Sequence, residues 1–316
     1  MMDKKQLFYK EVVDGLTTES KYLLSKYFYD KRGDELFQQI MHSPEYYLTR
    51  CELEILSEQA SCITRTVRKY ISDFDVVELG AGDATKSIYL LKECILQKAA
   101  YNYYPVDIST NVINLLEKKL PRKLPLLNIR GWNGEYLNML EKISQYSDKK
   151  KLVLFLGGNI GNFLPAQARS FLQALHSHLN PGDLLLIGFD LKKHPRVILD
   201  AYNDKEGFTR AFNLNLLTRI NRELRANFEI KGFEHYPVYD PATGACKSYL
   251  VSLYNQDVNI GTEVSISFKK NEIIRMEISQ KYSPEETDQI AKDSGFTVVE
   301  KFYDRKGWFS DRLWLA

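Results

Sequence analysis

The chain has 316 residues, 44% hydrophobic and 27% charged, and its 43 Lys and Arg nearly balance 41 Asp and Glu for a formal net charge of +2. That length can bury a substantial core and exceeds the usual single domain, while a near-neutral charge without a long run of one sign argues against a dedicated polyanion binder, so no nucleic-acid partner is expected. No stretch reaches the roughly 18 apolar residues of a membrane span, and Cys51, Cys62, Cys94 and Cys246 show neither a CxxC pair nor metal-ligand spacing, which fits a reducing cytoplasm, no membrane partner and no metal.

The amino-terminal "MMDKKQLFYKEVVDG" is charged and lacks an apolar core ahead of a cleavage-like site, so no secretory signal is expected. From Lys5 to about Tyr70 apolar residues recur at helical spacing, interrupted by "HSPEYYLTR" around Pro44. Strands and helices then alternate: "FDVVELG", "ATKSIYLLKECIL", "YNYYPVD", "NVINLLEKKL", "KLVLFLGG", "PAQARSFLQALHSHL" and, after a Pro181-Gly182 turn, "DLLLIGFD". That rhythm predicts a mostly parallel, doubly wound α/β sheet with crossover helices.

Beyond Asp190 the pattern changes to one helical stretch, "RVILDAYNDKEGFTRAFNLNLLTRINREL", and then to β-rich sequence through "EIIRMEISQKY". An insertion with its own antiparallel strands accounts for this better than further parallel units. The end returns to the first style. Ser283 reads as an N-cap, Pro284 as the first helical residue and Glu286 as the capping-box partner, with Gly295 as the stop. "FTVVEKFYD" and "FSDRLWLA" read as an antiparallel hairpin at the sheet edge. The expected domains are therefore a core of residues 57–191 and 282–316 and a second α+β lobe of residues 1–56 and 192–281.

A strand ending at Glu78 and followed by Gly80 and Gly82 places flexible backbone at the carboxyl end of the sheet, where open α/β folds bind ligands. Thr85 stands where a dinucleotide fingerprint wants Gly or Ala, which argues against NAD. The next strand ends in Asp107, placed to accept hydrogen bonds from both hydroxyls of a ribose. Glu-x-Gly-x-Gly followed by a ribose-binding acid is similar to the S-adenosylmethionine (SAM) methyltransferases, whose cofactor has no pyrophosphate to cradle.

Several segments in order narrow this further: "KYFYDKRGDELFQQIMHSPEYYLTR", "VVELGAGDATK", "YYPVDIS", "LFLGGNIGNFLP", "LLIGFDLKK", "AYNDKEGFTRAFNLNLLTRINREL", "FEHY" and "RMEISQKY". Together they resemble the histidine-specific, SAM-dependent methyltransferases of ergothioneine biosynthesis, which trimethylate the α-amine of histidine. The resemblance implies a Rossmann-like methyltransferase core with a second lobe. It implies that Tyr29, Glu78, Gly80, Gly82, Lys86 and Asp107 serve SAM, with Gly157 near the junction of cofactor and substrate. Tyr46, Asn162 and Tyr202 would hold the amino acid's α-amino and carboxylate groups, and Glu277 and Ser279 would read the imidazole. No covalent intermediate is needed, because methyl transfer from a sulfonium is an in-line displacement whose main demand is placement of a neutral amine.

Two departures bear on function. Where the family usually has Gly-Asp-Phe beside the adenine, this chain has "RGWNGEY", which puts Trp132 and Asn133 in that place. Ser248 stands where the family more often has an apolar methionine near the substrate side chain. The expected activity is Nα-trimethylation of L-histidine to hercynine by a cytoplasmic monomer. The same chemistry on another or a modified amino acid, and a non-catalytic SAM- or amino-acid-binding protein, stand as alternatives.

Overall fold

The computed structural model describes residues 3–316, so Met1 and Met2 of the expected leaderless start lie outside it. In chain order come α1 (Lys4–Leu16) and α2 (Lys31–His42), then α3 (Tyr47–Val67), β1 (Phe74–Leu79), α4 (Ser87–Leu96), β2 (Asn102–Asp107) and α5 (Thr110–Lys123). Two-residue strands β3 (Asn128–Ile129) and β4 (Trp132–Asn133) lead to α6 (Tyr136–Tyr146), β5 (Lys150–Phe155), α7 (Pro165–Ser177) and β6 (Leu184–Asp190). There follow α8 (Pro195–Ala201), α9 (Phe208–Leu224), β7 (Phe233–Asp240), β8 (Ala245–Ser252), β9 (Gln256–Ile260), β10 (Val264–Phe268) and β11 (Ile273–Gln280). The chain closes with α10 (Pro284–Asp293), β12 (Thr297–Tyr303) and β13 (Phe309–Leu315).

These elements form two compact units. The larger holds Tyr47–Lys192 and Gln280–Ala316, the smaller the described residues up to Tyr46 and Lys193–Ser279. The boundary expected at residue 56 falls inside α3, one continuous helix of the larger unit, so the division lies at Tyr46 and Tyr47 instead.

In the larger unit the strands run in the order β12-β13-β6-β5-β1-β2-β3, with β4 also on β2. The pairs among β6, β5, β1, β2, β3 and β4 are parallel, while β13 runs antiparallel to both β6 and β12. The order turns outward in both directions from β1 and β5, which makes their carboxyl ends the topological switch point. Every residue of β1 is buried, as expected for a parallel strand covered on both faces. Side chains alternate across it: Val77 and Leu79 join Leu140, Leu172 and Ile290 of α6, α7 and α10 in one core, and Val76 and Glu78 point away from that cluster. Tyr47 of α3 donates to Asp190 at the end of β6 (2.8 Å to Oδ2), and Lys281 pairs with the same carboxylate at 2.7 Å, both cation and anion buried.

In the smaller unit β7, β8 and β11 form a sheet in the order β11-β8-β7 in which β7 and β8 are antiparallel, and β9 pairs antiparallel with β10. Its core joins Phe8 and Val12 of α1, Leu36 and Ile40 of α2, and Phe212 and Leu216 of α9 to Phe233, Leu250 and Ile274 of the sheet. The single helical stretch expected after Asp190 is two helices. Gly207 stands at φ +74° and caps α9, and the Asp204 carboxylate accepts from Phe208 N (2.7 Å) and Thr209 N (2.8 Å), fixing a break there. Among the described residues no helix is long and apolar enough to cross a membrane.

Candidate active site

The loop after β1 is shaped by its glycines. Gly80 (φ +77°) and Gly82 (φ +53°) take left-handed conformations that side chains disfavour, while Gly80 N and Ala81 N donate to Val106 O of β2 at 2.8 and 3.3 Å. A Cβ at Gly80 would stand 2.9 Å from the Tyr136 hydroxyl oxygen, so that position has no room for a side chain either. At Gly82 a Cβ would meet nothing within 4 Å, so this side of the loop is open.

Asp107 lies across from this opening at the end of β2. Its Oδ2 accepts from Gly82 N (3.2 Å) and its Oδ1 from Ser109 N (2.8 Å), which fixes the carboxylate while leaving acceptor capacity on both oxygens. Burial raises its pKa, and the backbone N–H groups of Ser109, Gly82 and Ile108 work against that rise. The sequence therefore brings Gly80, Gly82 and Asp107 together as expected from their spacing.

Glu78 and Lys86 sit deeper. Glu78 is buried and accepts a hydrogen bond from the Tyr103 hydroxyl; burial pushes its carboxyl from 4.5 up to about 7, against the Tyr103 hydrogen bond and the charge of Lys86. A carboxyl whose folded pKa is raised contributes stability that is complete below its unfolded value and is lost as pH rises through the folded one. Glu78→Gln removes that dependence. In urea titrations of ligand-free protein, the variant is expected to lose about 3 kcal/mol less than the parent between pH 4.5 and pH 8; equal losses would refute the raised pKa.

Lys86, just ahead of α4, pairs with Glu52 of α3. Burial alone would lower the Lys86 pKa, and the Glu52 carboxylate more than reverses this. The second Glu52 oxygen accepts from Gly157 N at 2.7 Å, in the turn after β5 where Gly157 (φ +77°) and Gly158 (φ +67°) are both left-handed. Asn162 ends the single 3-10 turn that follows and is exposed there.

The "RGWNGEY" segment carries Trp132 and Asn133, the two side chains expected beside the adenine. Asn133 Nδ2 donates to Asp107 O and Ile108 O, both at 3.0 Å, and its Oδ1 accepts from the Thr110 hydroxyl (3.2 Å). Trp132 packs on the core with Tyr146 edge-on at 6.0 Å, and the Arg130 guanidinium lies 5.0 Å from its ring centre. Asn133 thus clamps the loop that carries Asp107, and Trp132 packs on the core with its buried indole N–H unpartnered.

The smaller unit carries the other expected residues. Tyr29 lies edge-on to Phe37 (5.7 Å) and Phe212 (5.8 Å), Phe37 to Tyr46 (6.4 Å), and Tyr46 to Tyr202 (6.3 Å). The buried Tyr202 hydroxyl donates to Ser279 Oγ of β11 at 2.6 Å. Glu277, two residues earlier on that strand, shares the face of Ser279 and is half-buried. Ser248 is buried on neighbouring β8 and joins the set by strand adjacency alone.

Glu52, Tyr103, Tyr136 and Asn133's clamp were not singled out by sequence reasoning. One signal was present for Glu52: it occupies the apolar stripe of α3, among Leu48, Ile55, Leu56 and Ile63, where a carboxylate needs a partner.

Comparisons with known proteins bear on the family of the chain. A family described as "Histidine-specific methyltransferase, SAM-dependent" matches residues 8–316. The chain is 32% identical to a Histidine N-alpha-methyltransferase of Mycobacterium tuberculosis, over 95% of this chain and 92% of that protein. It is 30% identical to Ergothioneine biosynthesis protein 1 of Schizosaccharomyces pombe over 89% of this chain and 37% of that longer protein. It is 26% identical to a 4-dimethylallyltryptophan N-methyltransferase of Claviceps purpurea over 90% and 88%. A family match from residue 8 to residue 316 and relatives aligned over nearly the whole length lead to one conclusion: the chain belongs to the histidine-specific, SAM-dependent methyltransferase family.

Proposed function

We propose that the chain transfers methyl groups from SAM to the α-amino group of L-histidine, giving the trimethylated betaine used in ergothioneine biosynthesis, as a cytoplasmic monomer. In this reading the larger unit holds SAM.

The larger unit fits the cofactor. Gly82 faces open space and Asp107 is held with acceptor capacity left for the ribose hydroxyls, while Lys86 offers an ammonium to the cofactor's carboxylate. SAM supplies an electrophilic methyl group on a sulfonium. The chain's own residues then have to hold a neutral amine in line and release its protons. Tyr46, Asn162 and Tyr202 provide hydroxyl and amide groups for the α-amino acid head, which tolerate an amine of growing size.

The observation that carries the histidine assignment is the Tyr202–Ser279 hydrogen bond beside Glu277, because it puts a head-group tyrosine and two polar groups suited to an imidazole in one cluster. The mycobacterial relative's name supports the same substrate. A second reading, methylation of another or a modified aromatic amino acid, is favoured by Ser248, a small buried residue on the strand next to Glu277, and by the name of the Claviceps relative. Incubation with SAM and each of the twenty amino acids, followed by mass spectrometry, separates them. A gain of three methyl groups on histidine alone is the expected result; methylation of a different amino acid instead would overturn the histidine assignment.

A further inference from the structure

Glu52 makes two contacts that the assigned site residues do not account for. Its carboxylate is fully buried, with one oxygen on the Lys86 ammonium and the other accepting from Gly157 N at 2.7 Å. Lys86 follows β1 and Gly157 follows β5, the two adjacent parallel strands at the switch point of the sheet. One side chain of α3 therefore ties together the two loops at which an open α/β sheet presents its ligand.

The surroundings are built for that carboxylate. A Cβ at Gly188 of β6 would overlap Glu52 Oε1, so the glycine makes room for it. A buried carboxylate is tolerated only when it is paired and hydrogen-bonded, and Glu52 has both kinds of partner. The nearby Asp311 carboxyl is pushed well above its ordinary range by burial and by the Glu52 charge. The Lys86 side chain is still one-fifth exposed, and an ammonium has three donors. Glu52 holds one side of it while another remains available.

We infer that Glu52 is a positioning residue for the cofactor's amino-acid tail: it fixes the Lys86 ammonium against the Gly157 turn so that a remaining donor meets the cofactor carboxylate. This rests on the reading that Lys86 contacts that carboxylate. A buried ion pair that only fastens α3 to the sheet would make the same static contacts, so the test has to separate positioning from general stability.

Calorimetric titration with S-adenosylhomocysteine and with 5′-methylthioadenosine does so, since the second ligand keeps adenine, ribose and sulfur but lacks the amino-acid tail. Glu52→Gln is expected to weaken S-adenosylhomocysteine about tenfold, the size of a lost charge-assisted hydrogen bond, and to leave 5′-methylthioadenosine within about twofold. Lys86→Met should have the same selective effect, and the double variant should be no weaker than Lys86→Met alone, because both act through one contact. Glu52→Asp, which keeps the charge, should recover part of the affinity.

Equal weakening of both ligands by Glu52→Gln, or weakening of neither, would overturn the inference while a selective Lys86→Met effect left the cofactor reading standing. No effect of Lys86→Met on S-adenosylhomocysteine would remove both.

Discussion

Asp107→Ala is expected to reduce the affinity for S-adenosylhomocysteine at least about a hundredfold, since each hydrogen bond from a ribose hydroxyl to a charged acceptor contributes about 1.5–3 kcal/mol and two are lost. The side chain has a second duty. It accepts from Gly82 N and Ser109 N, so its removal also strips partners from the loops that follow β1 and β2. Asp107→Asn keeps one acceptor oxygen and is expected to fall between the parent and the alanine variant. Titration calorimetry checks this, with thermal melting of ligand-free protein alongside to register the loss of the two backbone hydrogen bonds. An alanine variant that binds within about threefold of the parent would exclude Asp107 as the ribose acceptor.

The placement of Asp107 beside Gly82 could be read from sequence because its parts are local in the pattern. An apolar run, two glycines and an acid at the end of the following strand are set by the βα repeat, and the fold delivers them to one edge of the sheet. The capping box at α10 is equally local: Ser283 Oγ accepts from Glu286 N (3.2 Å) and Ser283 N donates back to Glu286 (2.6 Å). The mostly parallel sheet with its antiparallel β12–β13 edge also follows from the order of the segments.

What stayed hidden depends on tertiary contact or on very short elements. Strands β3 and β4 have two residues each, too few to show a period, so the clamp that Asn133 places on the backbone of Asp107 was not visible. Helix α6 has a readable stripe in Met139, Leu140 and Ile143 that the expected strand and helix order passes over. Glu52 is anomalous in its helix, yet its partners lie 34 and 105 residues along the chain, and only folding names them.

Glu277→Ala should lower kcat/KM for histidine about a hundredfold while leaving S-adenosylhomocysteine affinity near that of the parent. The reasoning is chemical. An imidazole N–H donated to a carboxylate is a hydrogen bond to a charged group, and removing the acceptor strands the donor in a half-enclosed site. Ser279 replaces little of this, because its neutral hydroxyl, which already accepts from Tyr202 at 2.6 Å, is a weaker acceptor than a carboxylate. Glu277→Gln keeps the shape and one acceptor, so it should retain more activity than the alanine variant. The loss should also be selective: phenylalanine, which has no ring N–H to strand, should change little in kcat/KM, narrowing the preference for histidine. Steady-state kinetics with both amino acids, paired with cofactor titration, measures each part. If histidine kcat/KM survives Glu277→Ala unchanged, the carboxylate does not read the ring, and Ser248 and its neighbours on β8 become the place where substrate choice is made.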